Sequence, residues 1–285
     1  MTVNNLGRII GFQTSGISVL NGTTDISNGG YVFGKISGVN VDGPSATVVN
    51  ILNYGTIEGD QFGIWLLNTI GTQPLVENSG TIRGRVASIN VDFGRSINLD
   101  NSGVLYGNVV CHSDIDSLND TIRNSGKIVG DVLLGAGNDT FDGHGGITRA
   151  IFGETGDDVL IGGVISERID GGLGHDVMAG GPGGDKFDFN AIADSLVGVN
   201  CDKINGFSHA QGDRIDLSTI DANQTLGHAG NQAFVFIGAQ TFAAHAGSGE
   251  VRYAGGIIQI NVDGDSAPEM EIRVGPALLA GDFVL

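Results

Sequence analysis

Apolar residues in the first 130 positions come in short alternating runs, never in helical spacing over many turns. Seven-residue segments opening on Asn5, Asn28, Asn53, Asn78, Asn101 and Asn124 all read Asn-x-Gly-x-aliphatic-x-Gly, at spacings of 23, 25, 25, 23 and 23 residues. A period of that size with one short strand per copy predicts a solenoid. Other β-prone pieces recur within each period, such as Ile64-Trp-Leu-Leu67, Ala87-Ser-Ile-Asn-Val91, Val49-Asn-Ile51 and Ile97-Asn-Leu99. About three short strands per coil predict a right-handed parallel β-helix. Glycine every few residues excludes helices. The six asparagines are expected to form a ladder at one corner, each amide bonded to the same amide one coil away. Ile9, Val32, Ile57, Ile82, Leu105 and Ile128 are expected to stack inward.

From residue 134 the period shortens. Residues 171–179 and 180–188 both read G-G-x-G-x-D-x-U-x, with U a large apolar residue. Residues 153–161 depart from this only at Glu154, and 134–142 only at Leu134. Residues 162–170 keep the register with Glu167 in the acidic place. Residues 143–151 are degenerate, with Thr148 in the acidic place, and Phe152 is one extra residue. The glycines allow sharp turns. The x-U-x triplet is a minimal strand with its middle side chain inward, predicting Phe141, Leu160, Ile169, Met178 and Phe187 as core. A glycine loop that exposes carbonyls and adds one carboxylate suits a hard cation such as calcium, which takes about 6–8 oxygens.

This nonapeptide resembles that of RTX (hemolysin-type) calcium-binding repeat proteins. The resemblance implies a parallel β-roll of 18 residues per turn, with like loops stacked every second repeat. It implies that Asp158 stacks near Asp176, Glu167 near Asp185 and Asp139 near Asp158, with two to three calcium sites. The metal-site residues it implies are Gly135, Gly137, Asp139, Gly153, Gly156, Asp158, Gly162, Glu167, Gly171, Gly172, Gly174, Asp176, Gly180, Gly181, Gly183 and Asp185.

After residue 190 the repeats stop. The run Gly212-Asp-Arg-Ile-Asp-Leu-Ser218 and the segments 233–238 and 249–253 resemble the C-terminal domain of serralysin-type metalloproteases, a resemblance covering roughly residues 134–285. In that family the domain caps the roll and carries a signal read by type I secretion machinery. The ending Asp282-Phe-Val-Leu285 resembles that signal and would supply an export route for a chain that opens without a secretory signal peptide. Asn261-Val-Asp-Gly-Asp265 could hold a further calcium or simply form a hairpin turn between 257–262 and 270–274.

The expected architecture is therefore all-β. A parallel β-helix (1–133) continues into a calcium-binding parallel β-roll (134–190), capped by a C-terminal β-rich domain (191–285). Composition agrees: of 285 residues 49 are Gly and only 5 Pro. The net charge of −18 is uneven, with −3 in residues 1–130 and −15 in 131–285. That acidic load, with no basic patch to contact phosphates, argues against nucleic acid. No apolar run approaches the roughly 20 residues of a membrane span. Cys111 and Cys201 form neither a disulfide framework nor a zinc site.

An H-E-x-x-H zinc helix is absent; His112, His144, His175, His209, His228 and His245 all stand outside that pattern. His112 with Asp114, Asp116 and Cys111 reads as a surface loop. The expectation is a secreted, non-catalytic protein whose roll folds on calcium outside the cell. Its β-helix would serve as an adhesive or interaction surface, with an extracellular polysaccharide or a cell surface as candidate partner. The alternative is a calcium-dependent polysaccharide-modifying enzyme, since alginate C5-epimerases also join a β-helix to RTX modules. Its candidates are Arg83, Arg85, Asp92, Arg95 and Tyr106, although that family's Asp-Pro-His signature is missing.

Overall fold

The computed structural model describes residues 2–20, 22–43, 49–67, 73–92, 96–111, 118–224, 230–242, 249–263 and 265–285. Apart from two 3-10 turns, Ile192–Asp194 and Ala280–Asp282, every regular element there is a strand. The front coils have three faces. On the first, Thr2–Asn5 pairs in parallel with Thr24–Asn28, and the stack continues through Val49–Asn53, Leu75–Asn78, Asn98–Asn101 and Thr121–Asn124. The second stacks Arg8–Gly11, Tyr31–Gly34 and Thr56–Gly59. The third stacks Ser15–Val19, Ser37–Val41 and Phe62–Leu66. Strands Thr81–Val91 and Val104–Cys111 bend across the second and third faces.

Glycine spacing makes the corner between the first two faces. A Cβ on Gly80 would stand 2.1 Å from the Gly55 carbonyl oxygen, so the coils approach there more closely than a side chain permits. Each corner asparagine donates Nδ2–H to the Oδ1 of the next: Asn5 to Asn28, Asn28 to Asn53, Asn53 to Asn78, Asn78 to Asn101 and Asn101 to Asn124, at 2.7–2.8 Å. Buried amides must be paired, and this chain pairs them in one direction. It ends where Asn124 donates to Thr148 Oγ1 (3.1 Å) and to the Ile147 carbonyl (3.2 Å).

That ending explains the degenerate repeat. The second face stops at Lys127–Val129, followed only by an isolated bridge between Lys127 and Ile147. Thr148 therefore closes the amide ladder instead of holding a carboxylate. The third face continues through Asp131–Leu133, Ala150–Phe152, Arg168–Asp170, Lys186–Asp188 and Arg214–Asp216 to Phe283–Val284. The first face continues through Thr140–Asp142, Val159–Ile161, Val177–Ala179 and Asp202–Asn205 to Met270–Val274. With one face gone, the coil shortens from the 23–25 residues separating corner asparagines to 19 and then 18 residues between stacked acids. The extra residue at Phe152 is taken up in the 19-residue coils.

Val32, Ile57, Ile82 and Leu105 are wholly buried, as are Phe141, Leu160, Ile169, Met178 and Phe187 in the narrower part. Ile9 is half-buried. Each fully buried aliphatic contributes about 1.5–3 kcal/mol. At the far end, Glu250–Ala254, Ile257–Asn261 and Met270–Val274 form an antiparallel meander, so the hairpin reading of residues 257–274 holds.

Asn78→Ala would take the donor from Asn101 Oδ1 in a buried corner, while Asn53 Nδ2 would keep only the Gly55 and Thr81 carbonyls. At about 1–3 kcal/mol for the one orphaned group, we expect a loss of that size, read as a lower denaturant midpoint for unfolding of the front coils.

Candidate functional site

The turns of the narrow coils hold two columns of buried acids. In the first, the N–H of Asp120 donates to Asp139 Oδ1 (2.7 Å), that of Asp139 to Asp158 Oδ1 (2.7 Å), that of Asp158 to Asp176 Oδ1 (2.8 Å) and that of Asp176 to Asp202 Oδ1 (2.9 Å). The Ile97 N–H donates to Asp120 Oδ1. In the second, the N–H of Glu167 donates to Asp185 Oδ1 (2.9 Å) and that of Asp185 to Asp213 Oδ1 (3.0 Å). The structure thus brings together Asp139 with Asp158, Asp158 with Asp176 and Glu167 with Asp185, the stacking expected from the sequence.

Each of these aspartates spends Oδ1 on the ladder. Oδ2 of Asp120, Asp139, Asp158, Asp176, Asp185 and Asp202 is buried with no hydrogen-bond partner, as are both side-chain oxygens of Glu167, whereas Asp213 Oδ2 accepts the Ser208 N–H (2.7 Å). A Cβ on Gly153, Gly171 or Gly180 would stand 2.1–2.3 Å from the Oδ2 of Asp158, Asp176 or Asp185 in the same repeat. One on Gly162 would stand 2.9 Å from Glu167 Oε2. The first glycine of the nonapeptide is thus the floor beneath the spare oxygen. Leu134 takes that place before Asp139 and is itself buried in the core. The second and fourth glycines turn the loop in the left-handed region, with φ of 93° and 146° at Gly135 and Gly137, and 86° and 146° at Gly172 and Gly174. Gly156, Gly181 and Gly183 do the same, and Glu154 is forced to φ 75° where the other loops have glycine. One residue before the acid, Asn138, Asp157 and Ser166 accept backbone N–H groups from the following coil at 2.9–3.0 Å.

Burial pushes Asp120, Asp139, Asp158 and Asp176 up to about 7, and Asp202 up to about 9, with Asp176 beside Asp202 adding to the rise. Glu167 and Asp185 are raised together, again chiefly by burial. An ionised carboxyl without a partner in such a place is costly, and either a proton or a cation relieves it. The donors are all oxygens, which suits calcium and disfavours soft metals. The residues present therefore fit the calcium that the repeat pattern implies.

Asp120, Asp202 and Asp213 extend the columns beyond the nonapeptides. Asp213 belongs to the Gly212–Ser218 run. Ile215 of that run is core, and Asp216 accepts from Ser218 N–H and Oγ–H and from Lys186 Nζ. The terminal residues form the last strand of the third face. Phe283 pairs with Ile215, while Asp282 accepts the Leu279 N–H and pairs with His209 Nδ1 at 2.7 Å.

Other candidates separate. Arg83, Arg85 and Tyr106 line an open groove of about 620 Å³ with Glu58 and Asp60. Asp92 does not line that groove; it accepts from Trp65 Nε1 (2.8 Å) and Asn90 Nδ2 (2.7 Å). Arg95, His112, Asp114 and Asp116 lie outside the described residues. Cys111 and Cys201 are free and buried. At the hairpin turn the carboxylates of Asp263, Asp265 and Glu269 lie within 4.8 Å of one another, and each already accepts a backbone N–H. No helix among the described residues is long and apolar enough to cross a membrane.

A parallel solenoid whose turns each carry a buried carboxylate over a glycine floor has the organisation of an RTX-type roll. Residues 144–285 match the family described as Peptidase M10 serralysin C terminal, and the chain belongs to the RTX-like repeat proteins that carry this domain. The match leaves residues 1–143 outside it. No curated protein matches the chain.

Gly171→Ala places a methyl 2.3 Å from Asp176 Oδ2. We expect at least a tenfold loss of calcium affinity, about 1.4 kcal/mol. Gly7→Ala, with nothing within 4 Å, should bind calcium as the parent does; calorimetric titration checks both.

The raised acids fix the direction of pH dependence. Their folded pKa values, near 7, exceed the unfolded value of about 3.9. They therefore stabilise the calcium-free fold below about pH 4, and that contribution is lost as pH rises towards 7. Calcium competes with those protons, so its apparent affinity should rise between pH 5 and pH 8 while the melting temperature of the chelated protein falls.

Proposed function

We propose that this is a secreted calcium-binding protein, exported by type I secretion machinery and folded by calcium outside the cell. The reading rests on one observation: the spare, buried, unpartnered oxygens of Asp139, Asp158, Asp176, Asp185 and Glu167, stacked coil upon coil. Without a cation these groups repel one another and oppose burial, so binding energy becomes folding energy. Low cytosolic calcium would keep the rear half open and exportable; external calcium would close it. Chelation then acts as a fold switch in residues 134–285, taken as roll (134–190) plus C-terminal cap (191–285). In the closed form Phe283–Val284 pairs with Arg214–Asp216 and so extends the third face of the roll.

The β-helix, residues 1–133, is read as a non-catalytic interaction surface. The carboxylates in its groove are already engaged: Glu58 accepts from Tyr31 Oη (3.1 Å) and Asp60 pairs with Lys35 (2.7 Å). An acid catalyst for glycan cleavage needs a carboxyl tuned by burial, and neither of these is enclosed. This favours binding over the epimerase or lyase reading.

Hydrogen exchange on the full chain tests the calcium reading. Amides of residues 140–217 should gain protection when chelator is replaced by millimolar calcium, while the core strands at 49–91 change little. Equal protection of residues 140–217 in both conditions would remove the proposed function.

A further inference from the structure

Charge is segregated on the front of the solenoid. Residues 1–130 hold seven Lys and Arg, and five of them, Arg8, Lys35, Arg83, Arg85 and Lys127, lie on the second face or at its edge. Of the eight acidic residues of that stretch that are among the described residues, only Glu58 and Asp60 share that face. The face is thus locally basic in a chain of net charge −18.

Lys35 of this face pairs with Asp60 (2.7 Å), and among the described residues its other four cations carry no ion pair, Arg85 donating only to the Asp60 carbonyl (3.4 Å). Arg123, Arg149, Arg168 and Lys186 elsewhere each pair with an aspartate. Arg8, Arg83, Arg85 and Lys127 make no salt bridge among the described residues. Two of them rest on aromatic rings of the adjoining coil: Arg8 lies 5.5 Å from the centroid of Tyr31 and Arg83 lies 4.2 Å from that of Tyr106. Register places Phe33, Glu58, Arg83 and Tyr106 in one column across successive coils. A guanidinium held on a ring keeps its fork of donors for a carboxylate and gives up less freedom on binding.

We propose that this face binds an acidic polysaccharide of the uronate type, laid across the coils along the solenoid axis. The proposal rests on reading the β-helix as an interaction surface. Coils stack roughly 4.8 Å apart, so the cations from Arg8 to Lys127 spread over roughly 24 Å. That sparse spacing suits a polymer bearing one carboxylate per ring, whose apolar ring faces can lie against Tyr31, Phe33 and Tyr106. Nucleic acid, with one charge per about 1.7 Å, would meet far more repulsion from the acidic remainder.

The test is calorimetric titration of the full calcium-loaded chain with a galacturonic acid hexamer, with maltohexaose as the neutral probe. We expect the hexamer alone to bind. Arg83→Ala with Arg85→Ala should weaken binding tenfold or more, Tyr106→Leu severalfold, and 0.5 M salt should weaken it strongly, all with calcium stoichiometry unchanged. Equal binding of maltohexaose, or an arginine variant that binds as the parent does, overturns the proposal. So does tighter binding of a single-stranded oligonucleotide, or a parent oligomer that Arg83→Ala with Arg85→Ala renders monomeric; these assign the face to another partner and leave the interaction-surface reading standing. Failure of every probe, with no self-association, removes both.

Discussion

The rear half of this molecule depends on the division of labour within its stacked aspartates. In Asp139, Asp158, Asp176, Asp185 and Asp202 one oxygen accepts a backbone N–H from the coil before it, and the other has no hydrogen-bond partner. The first bond aligns the coils, while the second oxygen makes the aligned state unfavourable until a proton or cation arrives. Asp158 and Asp176 show both halves of this arrangement: their hydrogen-bonded oxygens set the 18-residue step, and their spare oxygens face Gly153 and Gly171, where a methyl group would not fit. A conventional apolar core runs beneath them, but Leu160, Ile169 and Met178 contribute only one inward side chain per strand.

The front half solves the same stacking problem with neutral groups. Its corner asparagines satisfy one another, so this ladder carries no charge for an ion to neutralise. The two devices meet in one coil, where Asp120 opens the acid column on the same strand face that ends in Asn124. Thr148 closes the amide chain one coil later, and from there the section narrows because the second face has nowhere to continue.

Much of this was legible in the sequence because both repeats keep phase over many copies. Inward positions such as Ile82 and Met178 follow from counting alone, and the pairing of Asp158 with Asp176 from counting together with the two repeats per turn that the RTX resemblance implies. Thr148 looked like a failed acidic position because a local motif cannot reveal what lies one coil earlier; its partner Asn124 belongs to the other repeat. Asp120, Asp202 and Asp213 were hidden for a different reason. Their turns lack the glycine run and their coils differ in length, 26 residues from Asp176 to Asp202 and 28 from Asp185 to Asp213. A shorter signal was present: Asp120-Thr-Ile122, Asp202-Lys-Ile204 and Asp213-Arg-Ile215 all keep the acid-x-aliphatic core of the nonapeptide. The basic second face could not be read from composition, since its cations are dispersed along the chain and gathered only by stacking.

The one-way amide chain has an architectural corollary. Because every corner asparagine gives to the next and takes from the last, a whole additional turn can be spliced into the front without leaving any member unmatched. A fraction of a turn would break the amide queue and misalign the acids behind it at the same moment. The number of windings in such a protein is therefore a whole number, while a single winding can vary in length, as those of 23 and 25 residues do here.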